Sequence, residues 1–425
     1  MHILIYSYNY YPEPIGIAPL MTELAEGLVE RGHEVRVITG MPNYPEREIY
    51  EGYQNKWYVT EKKNGVTIQR CFLRIKSKPN LLDRLLLELS FVVSSLPQAL
   101  NGWRPDVILL TVPPLFVTLP ACFLGWLYNC PVILNVQDIL PEAAERMGLI
   151  KNKWMIRVLS RLEKFAYKNA HTISVIAEGF VSNLTNKGVS SSKIACVPNW
   201  VNVNFIKPLP KNNSFRIKYN LEEKFVVLYS GNIALTQGLE TAIAAAAKLS
   251  QVKNIVFVIV GETKALEQLK RCCCKYGADN VLLLPLQPRS ELPDMLAAAD
   301  VGLILQKRNV VCFNMPSKIP LLLASARPII ASVPKHGTAA ASIRRSGGGI
   351  VVAPESPSAL VNAIMDLYKY PAKAAALGAK GRKFAVDKYS FETAIAQYEA
   401  LFSNAIASTS DLDLPLSSTK SVADI

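Results

Sequence analysis

The sequence is poor in histidine and carries none of the spacings that mark metal or thiol chemistry. Only His2, His33, His171 and His336 occur in 425 residues. None stands in a triad or at metal-ligand spacing, so no metal site is expected. Eight cysteines are present, Cys71, Cys122, Cys130, Cys196, Cys272, Cys273, Cys274 and Cys312. Most sit singly in apolar runs, and Cys272–Cys274 lacks the two-residue gap of a zinc or redox pair. All eight read as structural thiols in a reducing compartment. No GxGxxG follows the first apolar run, which argues against a dinucleotide oxidoreductase. No Ser, Cys or Thr occupies a nucleophile elbow. The opening MHILIYSYNYYP has no basic n-region, long apolar core or small-residue cleavage site, so no signal peptide is expected. The very apolar stretch from Val107 to Val136 is interrupted by Pro113, Pro114, Pro120 and Pro131. Strand–loop–helix–strand accounts for those breaks better than a membrane span does.

Acidic residues are also in deficit. Lys and Arg number 47 against 34 Asp and Glu, a net charge of +13. The balance favours anionic partners: nucleotide phosphates, acidic lipids or nucleic acid. The basic residues are not interleaved with aromatics in any nucleic-acid module, so nucleic acid is not expected. The length suits two domains of about 200 residues each.

Short β-branched runs alternate with helical stretches along the whole chain. In the first half the strands are expected at Ile3–Ser7, Glu34–Thr39, Val66–Cys71, Asp106–Thr111, Pro131–Val136, Thr172–Val175 and Ile194–Val197. In the second half they are expected at Phe225–Ser230, Ile255–Val260, Val281–Leu284, Val301–Leu305, Pro328–Ala331 and Gly349–Val352. Continuous apolar strands between helices imply parallel sheets covered on both faces. Leu20, Leu24 and Leu28 before Gly32 mark a helix and its end. Leu239–Leu249 and Ser356–Leu367 read as further helices. The Asn- and Pro-rich stretch NWVNVNFIKPLPKNNSF from Asn199 marks a boundary. The expected organisation is a first Rossmann-like domain over 1–205, a second over 206–390, a terminal helix over 391–407 and a disordered tail over 408–425.

Two doubly wound α/β domains place their ligands at the C-terminal strand ends. Four such loops could carry chemistry. Ser7–Gly16 follows the first strand, and Gly16 would let backbone approach a ligand; a simple strand-to-helix turn reads equally well. Asp138, after Pro131–Val136, could accept from sugar hydroxyls or cap the next helix. Tyr229–Glu240 holds Gly231, Asn232, Gln237 and Gly238, and the two glycines permit close approach of N–H groups to phosphate oxygens. The alternative is a plain βα loop. Lys307 and Arg308 end one strand, and Ser317 and Lys318 open the next helix. These cations could hold a diphosphate and stabilise it as a leaving group, or form a solvated basic loop.

In order, YSYNYYPEPIGIA, VQDILPEAA, VPNWVN, YSGNIALTQGLE, ELPDMLAAADVGL, MPSKIPLLLASARPIIAS and SGGGIVVAPESPSAL resemble the GT-B retaining glycosyltransferases of family 4, the glycosyl transferases group 1 proteins. The likeness is strongest to the colanic-acid and exopolysaccharide branch and runs to about Asn404. It implies a nucleotide-sugar donor on the second domain and a glycan or polyprenyl-linked acceptor on the first. The donor is a substrate; no cofactor and no metal are implied. It also implies hexosyl transfer with retention, in cell-surface polysaccharide assembly. By position Gly16 would face the donor phosphates, Asp138 the transferred sugar or acceptor, and Asn199 the interdomain cleft. Gly231 to Gly238 would hold the diphosphate, and Ser317 and Lys318 would begin the phosphate-facing helix. Many relatives carry Arg where this chain has Asn232 and Lys where it has Gln237. Many also carry glutamates at the positions of Phe313 and Leu321. The departures leave two readings: Lys307, Arg308 or Lys318 compensate, or the protein is a catalytically silent GT-B scaffold that only binds nucleotide sugar.

Lys151–Lys168 puts Lys153, Arg157, Arg161, Lys164 and Lys168 on one helical stripe, beside Trp154, Val158, Leu162 and Phe165. Such a helix either docks on anionic lipid at the inner face of the plasma membrane or packs with a solvated basic face. Further basic and apolar residues lie in Lys56–Arg84, including Lys62, Lys63, Arg70, Arg74, Lys76 and Lys78. The localisation expected is cytoplasmic, peripheral on that membrane.

Overall fold

A computed structural model describes residues 1–412 apart from 15, 78, 140, 141, 143, 144, 146–149, 151, 234, 235 and 312. Two sheets organise the chain. The first contains β1 (His2–Tyr6), β2 (Glu34–Gly40), β3 (Tyr58–Lys63), β4 (Val66–Cys71), β5 (Val107–Val112), β6 (Val132–Val136), β7 (Thr172–Val175) and β8 (Ile194–Cys196). Their order is β3-β4-β2-β1-β5-β6-β7-β8. The second contains β9 (Phe225–Ser230), β10 (Ile255–Gly261), β11 (Val281–Pro285), β12 (Val301–Leu305), β13 (Ile329–Ser332) and β14 (Gly349–Val352), in the order β11-β10-β9-β12-β13-β14. Each order reverses beside its first strand, the doubly wound arrangement with its switch point at β1/β5 and at β9/β12.

The strands expected from sequence all form. The addition is β3, which pairs antiparallel with β4 at the sheet edge. Its residues alternate exposed and half-buried, so it shows no continuous apolar run. The turn that joins it to β4 is Asn64-Gly65, both at positive φ (47° and 81°). An Asn-Gly hairpin turn was the legible signal for that strand.

The first sheet is covered by α1 (Ala18–Glu30), α2 (Leu81–Leu100), α3 (Thr118–Tyr128), α4 (Lys153–Asn169) and α5 (Glu178–Asn186). The stretch 107–136 is β5, α3 and β6, as its prolines predict, and among the described residues no helix is long and apolar enough to cross a membrane. The second lobe adds α6 (Ser214–Lys218), α7 (Glu240–Lys248), α8 (Thr263–Tyr276), α9 (Leu292–Ala297), α10 (Lys318–Ala324), α11 (Thr338–Ser346), α12 (Pro357–Lys369) and α13 (Pro371–Tyr389). Ser356 caps α12, its hydroxyl accepting from the Ala359 N–H.

The last helix, α14 (Phe391–Leu412), returns to the first lobe. It runs five residues past the expected start of the tail at 408, and Ser408 Oγ lies 3.0 Å from His171 Nε2. Residues 413–425 of that expected tail lie outside the described residues. Ala394, Ile395, Tyr398, Phe402 and Ala405 are buried in the first-lobe core, and Arg31 bonds both Glu392 and Glu399. The chain therefore crosses between lobes twice, and the crossings run parallel at the Val201–Ser390 bridge. Arg382 fastens the linker to the second lobe by donating to the carbonyls of Val203, Ile206 and Ala324.

Gly27 is where α1 meets α14. A Cβ there would stand 2.5 Å from Phe391 Cζ and 2.9 Å from Ile395 Cδ1. Gly27→Val should force the two helices apart and destabilise the protein by about 1–3 kcal/mol, read as a lower urea midpoint. An unchanged midpoint would show that α14 does not hold the lobe in this way.

Candidate active site

The C-terminal ends of the second-sheet strands face the first lobe across a cleft of about 700 Å³. Its walls come from the loops after β9 and β12, the start of α10, the linker at Trp200–Ile206 and the start of α1. One end is polar, with Gly231, Asn232, Gln237, Ser317 and Lys318. The other is apolar, with Phe205, Ile206, Leu286, Leu292 and Met295. That volume and division suit a ligand with an anionic end and a flat or apolar end.

The polar end is built around Lys318. Its Nζ donates to the Tyr229 hydroxyl at 3.1 Å and the Asn232 carbonyl at 3.4 Å, and lies 4.6 Å from the Tyr229 ring centroid. Among the described residues it forms no ion pair. Burial without a counter-anion holds its pKa down to about 8. Gly231 sits beneath it at φ 112°, and a Cβ there would stand 3.1 Å from Lys318 Cε. Glycine serves both the backbone and the close approach of the lysine. The Tyr229 hydroxyl also contacts Gln237 Oε1 and lies 2.7 Å from the Asn232 carbonyl, so one phenol ties both arms of the loop. Ala234 and Leu235, at the tip of the loop, lie outside the described residues.

Asp138 reaches this site from the first lobe. Its carboxylate accepts from Asn314, and burial pushes its pKa up to about 6. Asn314 lines the cleft and accepts from Gln306 Nε2 at 3.3 Å. Gln306 is buried, and its Oε1 has no partner among the described residues. The loop between β12 and α10 also plants Val310 and Phe313 in the first-lobe core. On the opposite wall Glu23 accepts from the Trp200 indole at 2.7 Å, its pKa raised by burial.

The structure thus brings Gly231, Asn232, Gln237, Ser317 and Lys318 to one cleft, with Asp138 one hydrogen bond away. Lys307 is adjacent rather than lining: its N–H donates to the Thr236 carbonyl and its stem packs on Gly238. Arg308 is turned outward and exposed, its guanidinium 3.8 Å from Glu355, and lies outside the cleft lining. Gly16 is exposed at φ 73° and outside the cleft lining, although Pro14 and Pro19 line it. Asn199 is turned into the first lobe, its amide donating to Gln137 Oε1 at 2.7 Å and accepting from Gln137 Nε2 at 3.1 Å. Tyr229, Gln306 and Asn314 lie in loops singled out from the sequence without a role of their own, and Glu23 lies outside those loops. Their roles come from hydrogen bonds between elements distant in sequence, for which a single chain gives no spacing signal.

Residues 16–200 match the family described as glycosyl transferase 4-like domain, and residues 211–384 match glycosyl transferases group 1. WcaI of Escherichia coli K12, named for colanic acid biosynthesis glycosyl transfer, is 32% identical over 381 residues, which is 87% of this chain and 93% of WcaI. The chain belongs to the glycosyl transferases group 1 family. Solved structures agree on the GT-B fold. Sucrose-phosphate synthase from Thermosynechococcus elongatus superposes with a TM-score of 0.74 at 17% identity, over 96% of this chain and all of that one. Anabaena HepE, in complex with UDP and glucose, gives 0.71 at 16% identity, over 95% of this chain and all of HepE.

Within this glycosyltransferase the positions that set it apart from many relatives have clear surroundings. Gln237 meets the Tyr229 hydroxyl through its side chain and Asn232 only through its backbone carbonyl, Phe313 is an anchor in the other lobe, and Leu321 lines the cleft.

The low pKa of Lys318 gives a signed expectation. Between about pH 8 and the ordinary lysine value of 10.5, the unfolded chain binds more protons than the folded one, so stability rises with pH across that window. Lys318→Met should raise Tm at pH 7 and lower affinity for a nucleoside diphosphate at least about tenfold. Wild-type affinity should weaken from pH 7 to pH 9, and Lys318→Arg should flatten that profile. A pH-independent wild type would refute the assignment.

Proposed function

We propose that this glycosyltransferase moves a hexose from a nucleoside diphosphate sugar to a glycan or polyprenyl-linked acceptor, with retention and without a metal, in cell-surface polysaccharide assembly. The observation that carries the donor assignment is the half-buried Lys318 ammonium, unpaired among the described residues, over Gly231. The second lobe, 206–390, takes the donor. Its diphosphate lies against Lys318, Ser317 and the Gly231 loop, and its base against Phe205, Leu286 and Leu292. The first lobe, 1–205, takes the acceptor. HepE was solved with UDP and glucose, and WcaI is named for colanic acid biosynthesis; both support this reading.

In the reaction the bond from the anomeric carbon to the diphosphate oxygen breaks, and a bond to the acceptor hydroxyl oxygen forms on the same face. The acceptor proton passes to the departing phosphate oxygen. Charge grows on that diphosphate as the bond lengthens, and Lys318 is placed to stabilise it in a partly desolvated setting. Asp138, held by Asn314, orients hydroxyls of the sugar or acceptor.

Purified protein should bind and slowly hydrolyse at least one member of a panel of UDP-, GDP- and ADP-sugars. Asp138→Asn should lower turnover at least about tenfold with donor affinity retained. No nucleotide binding at all would overturn the proposal; binding without turnover under every acceptor would favour the silent scaffold.

We place the first lobe on the cytoplasmic face of the membrane. Helices α2, α3 and α4 pack side by side and leave large apolar side chains in solvent, among them Val93 (73% exposed), Trp126 (77%) and Trp154 (68%). Lys153, Arg157, Arg161, Lys164 and Lys168 are all exposed on α4 beside them. An apolar face next to a basic stripe matches an anionic lipid surface. The protein should float with anionic vesicles at physiological salt, and Trp126→Asp with Trp154→Asp should abolish flotation. Flotation unchanged by that pair would refute this docking face.

A further inference from the structure

The charged side chains that line the cleft are Lys318, Glu23 and Arg289. Lys318 belongs to the polar end, and the reaction uses it. Glu23, on α1 of the first lobe, and Arg289, on the loop after β11 of the second, have no part in that chemistry. Arg289 marks the apolar end, its guanidinium carbon lying 5.8 Å from the centroid of the Phe205 ring. Glu23 feels the Arg289 charge. Yet among the described residues neither forms an ion pair, with the other or with any third group. Opposite charges held apart on two walls of a cleft are complementary to a ligand edge that carries both polarities.

Glu23 is also held in place. One of its oxygens accepts the Trp200 indole N–H at 2.7 Å, and Trp200 is buried. A carboxylate has about four lone-pair sites, so it still accepts on both oxygens. The other long polar side chains at this end are engaged locally. Gln287 Oε1 accepts from the Tyr219 hydroxyl at 3.3 Å, and its Nε2 donates to the Pro285 carbonyl at 2.7 Å. Asn202 Oδ1 accepts from the N–H groups of Asn204 and Phe205.

Nucleobases differ in what they offer such a pair. Guanine presents two adjacent N–H groups, at N1 and N2, to the two oxygens of a carboxylate. Its O6 and N7 together match the fork of a guanidinium. The two edges adjoin, so their readers must flank the ring from different sides, as walls from two lobes do. Uracil has a single N–H between two carbonyl oxygens, and a carboxylate set against it meets one of those oxygens. Adenine has one amino group between ring nitrogens that accept. Neither base offers adjacent N–H groups.

We infer that the sugar donor is a guanosine diphosphate sugar, its guanine read by Glu23 from the first lobe and by Arg289 from the second. The inference rests on the glycosyl-transfer reading and deepens it by naming the nucleotide. It also makes the base a bridge between the lobes, since one reader stands on each.

The test is calorimetric titration of the full chain, with Lys318 intact, at neutral pH with GDP, UDP, ADP and inosine diphosphate. GDP should bind at least about tenfold more tightly than UDP or ADP. Inosine diphosphate lacks only the 2-amino group and should bind at least about fivefold more weakly than GDP, a comparison that needs no variant. Glu23→Gln keeps an acceptor for Trp200 but sets an amide N–H against the guanine N–H groups. It should weaken GDP at least about tenfold, leave UDP unchanged and remove the difference between GDP and inosine diphosphate. Arg289→Ala should weaken GDP at least about fivefold and UDP little. Equal affinity for GDP and inosine diphosphate in the wild type, or tighter binding of UDP or ADP, would overturn the inference. So would substitutions that weaken GDP and UDP alike, which is the mark of a phosphate contact or a damaged fold. Failure of every nucleoside diphosphate to bind sinks the glycosyl-transfer reading itself, whereas tight binding without preference for guanine sinks only this inference.

Discussion

An ammonium half-buried beside Gly231, without a carboxylate partner among the described residues, is the constraint around which the second lobe is arranged. Taking a cation out of water without a counter-charge is unfavourable, and the fall of the Lys318 pKa to about 8 records it. The surrounding structure gives it neutral acceptors, the Tyr229 hydroxyl and the Asn232 carbonyl, and an aromatic face. These keep the side chain in place without cancelling its charge. A group so held has its field directed into the cleft, where an anion would meet it at reduced dielectric.

The two lobes meet by a small set of devices, and each ties the second lobe to the first. The parallel crossings at Val201 and Ser390 put the linker beside the end of α13, and Arg382 fixes the linker from below. The loop between β12 and α10 then makes the opposite connection. Its Val310 and Phe313 sit in the first-lobe core, while Gln306 and Asn314, within the same loop, line the cleft. Glu178 and Arg345 add an exposed ion pair across the lobes, which contributes little by itself. Apolar burial of Phe313 is the stronger tether. Any movement of one lobe against the other must therefore carry Asn314, and with it the hydrogen bond to Asp138.

Most of the architecture could be read in the sequence because parallel strands buried on both faces leave a strong imprint. Runs such as Phe225–Ser230 and Val301–Leu305 have no other stable home in a chain of this kind. The edge strand Tyr58–Lys63 was not seen because one-sided, polar pairing leaves no such run. The glycine loop and Lys318 were legible as residue types after strands. The outward turn of Arg308 toward Glu355 was not, because it depends on a partner 47 residues away. Asn199 shows the same limit: its place in the order of motifs was readable, its pairing with Gln137 was not. The tail is expected from 408 because Ser and Thr after Ala407 weaken helix propensity, whereas α14 continues to Leu412, with Ser408 Oγ 3.0 Å from His171 Nε2.

The loss of two cations from the glycine loop is better understood as an exchange than as a deletion. A charged hydrogen bond to phosphate is worth roughly twice a neutral one, so Asn232 and Gln237 cannot replace Arg and Lys by direct contact. What Gln237 does instead is fix the loop, since the Tyr229 phenol engages its side-chain oxygen together with the Asn232 backbone carbonyl and also meets Lys318. A loop that is already ordered loses less entropy when a ligand arrives. One cation in a partly dehydrated site also acts more strongly than an exposed one. Phe313 belongs to the same exchange. It stands where the family resemblance would place a glutamate, yet it is buried as the tether between lobes. The carboxylate at this wall of the cleft comes from the other lobe, where Asp138 hydrogen-bonds to Asn314.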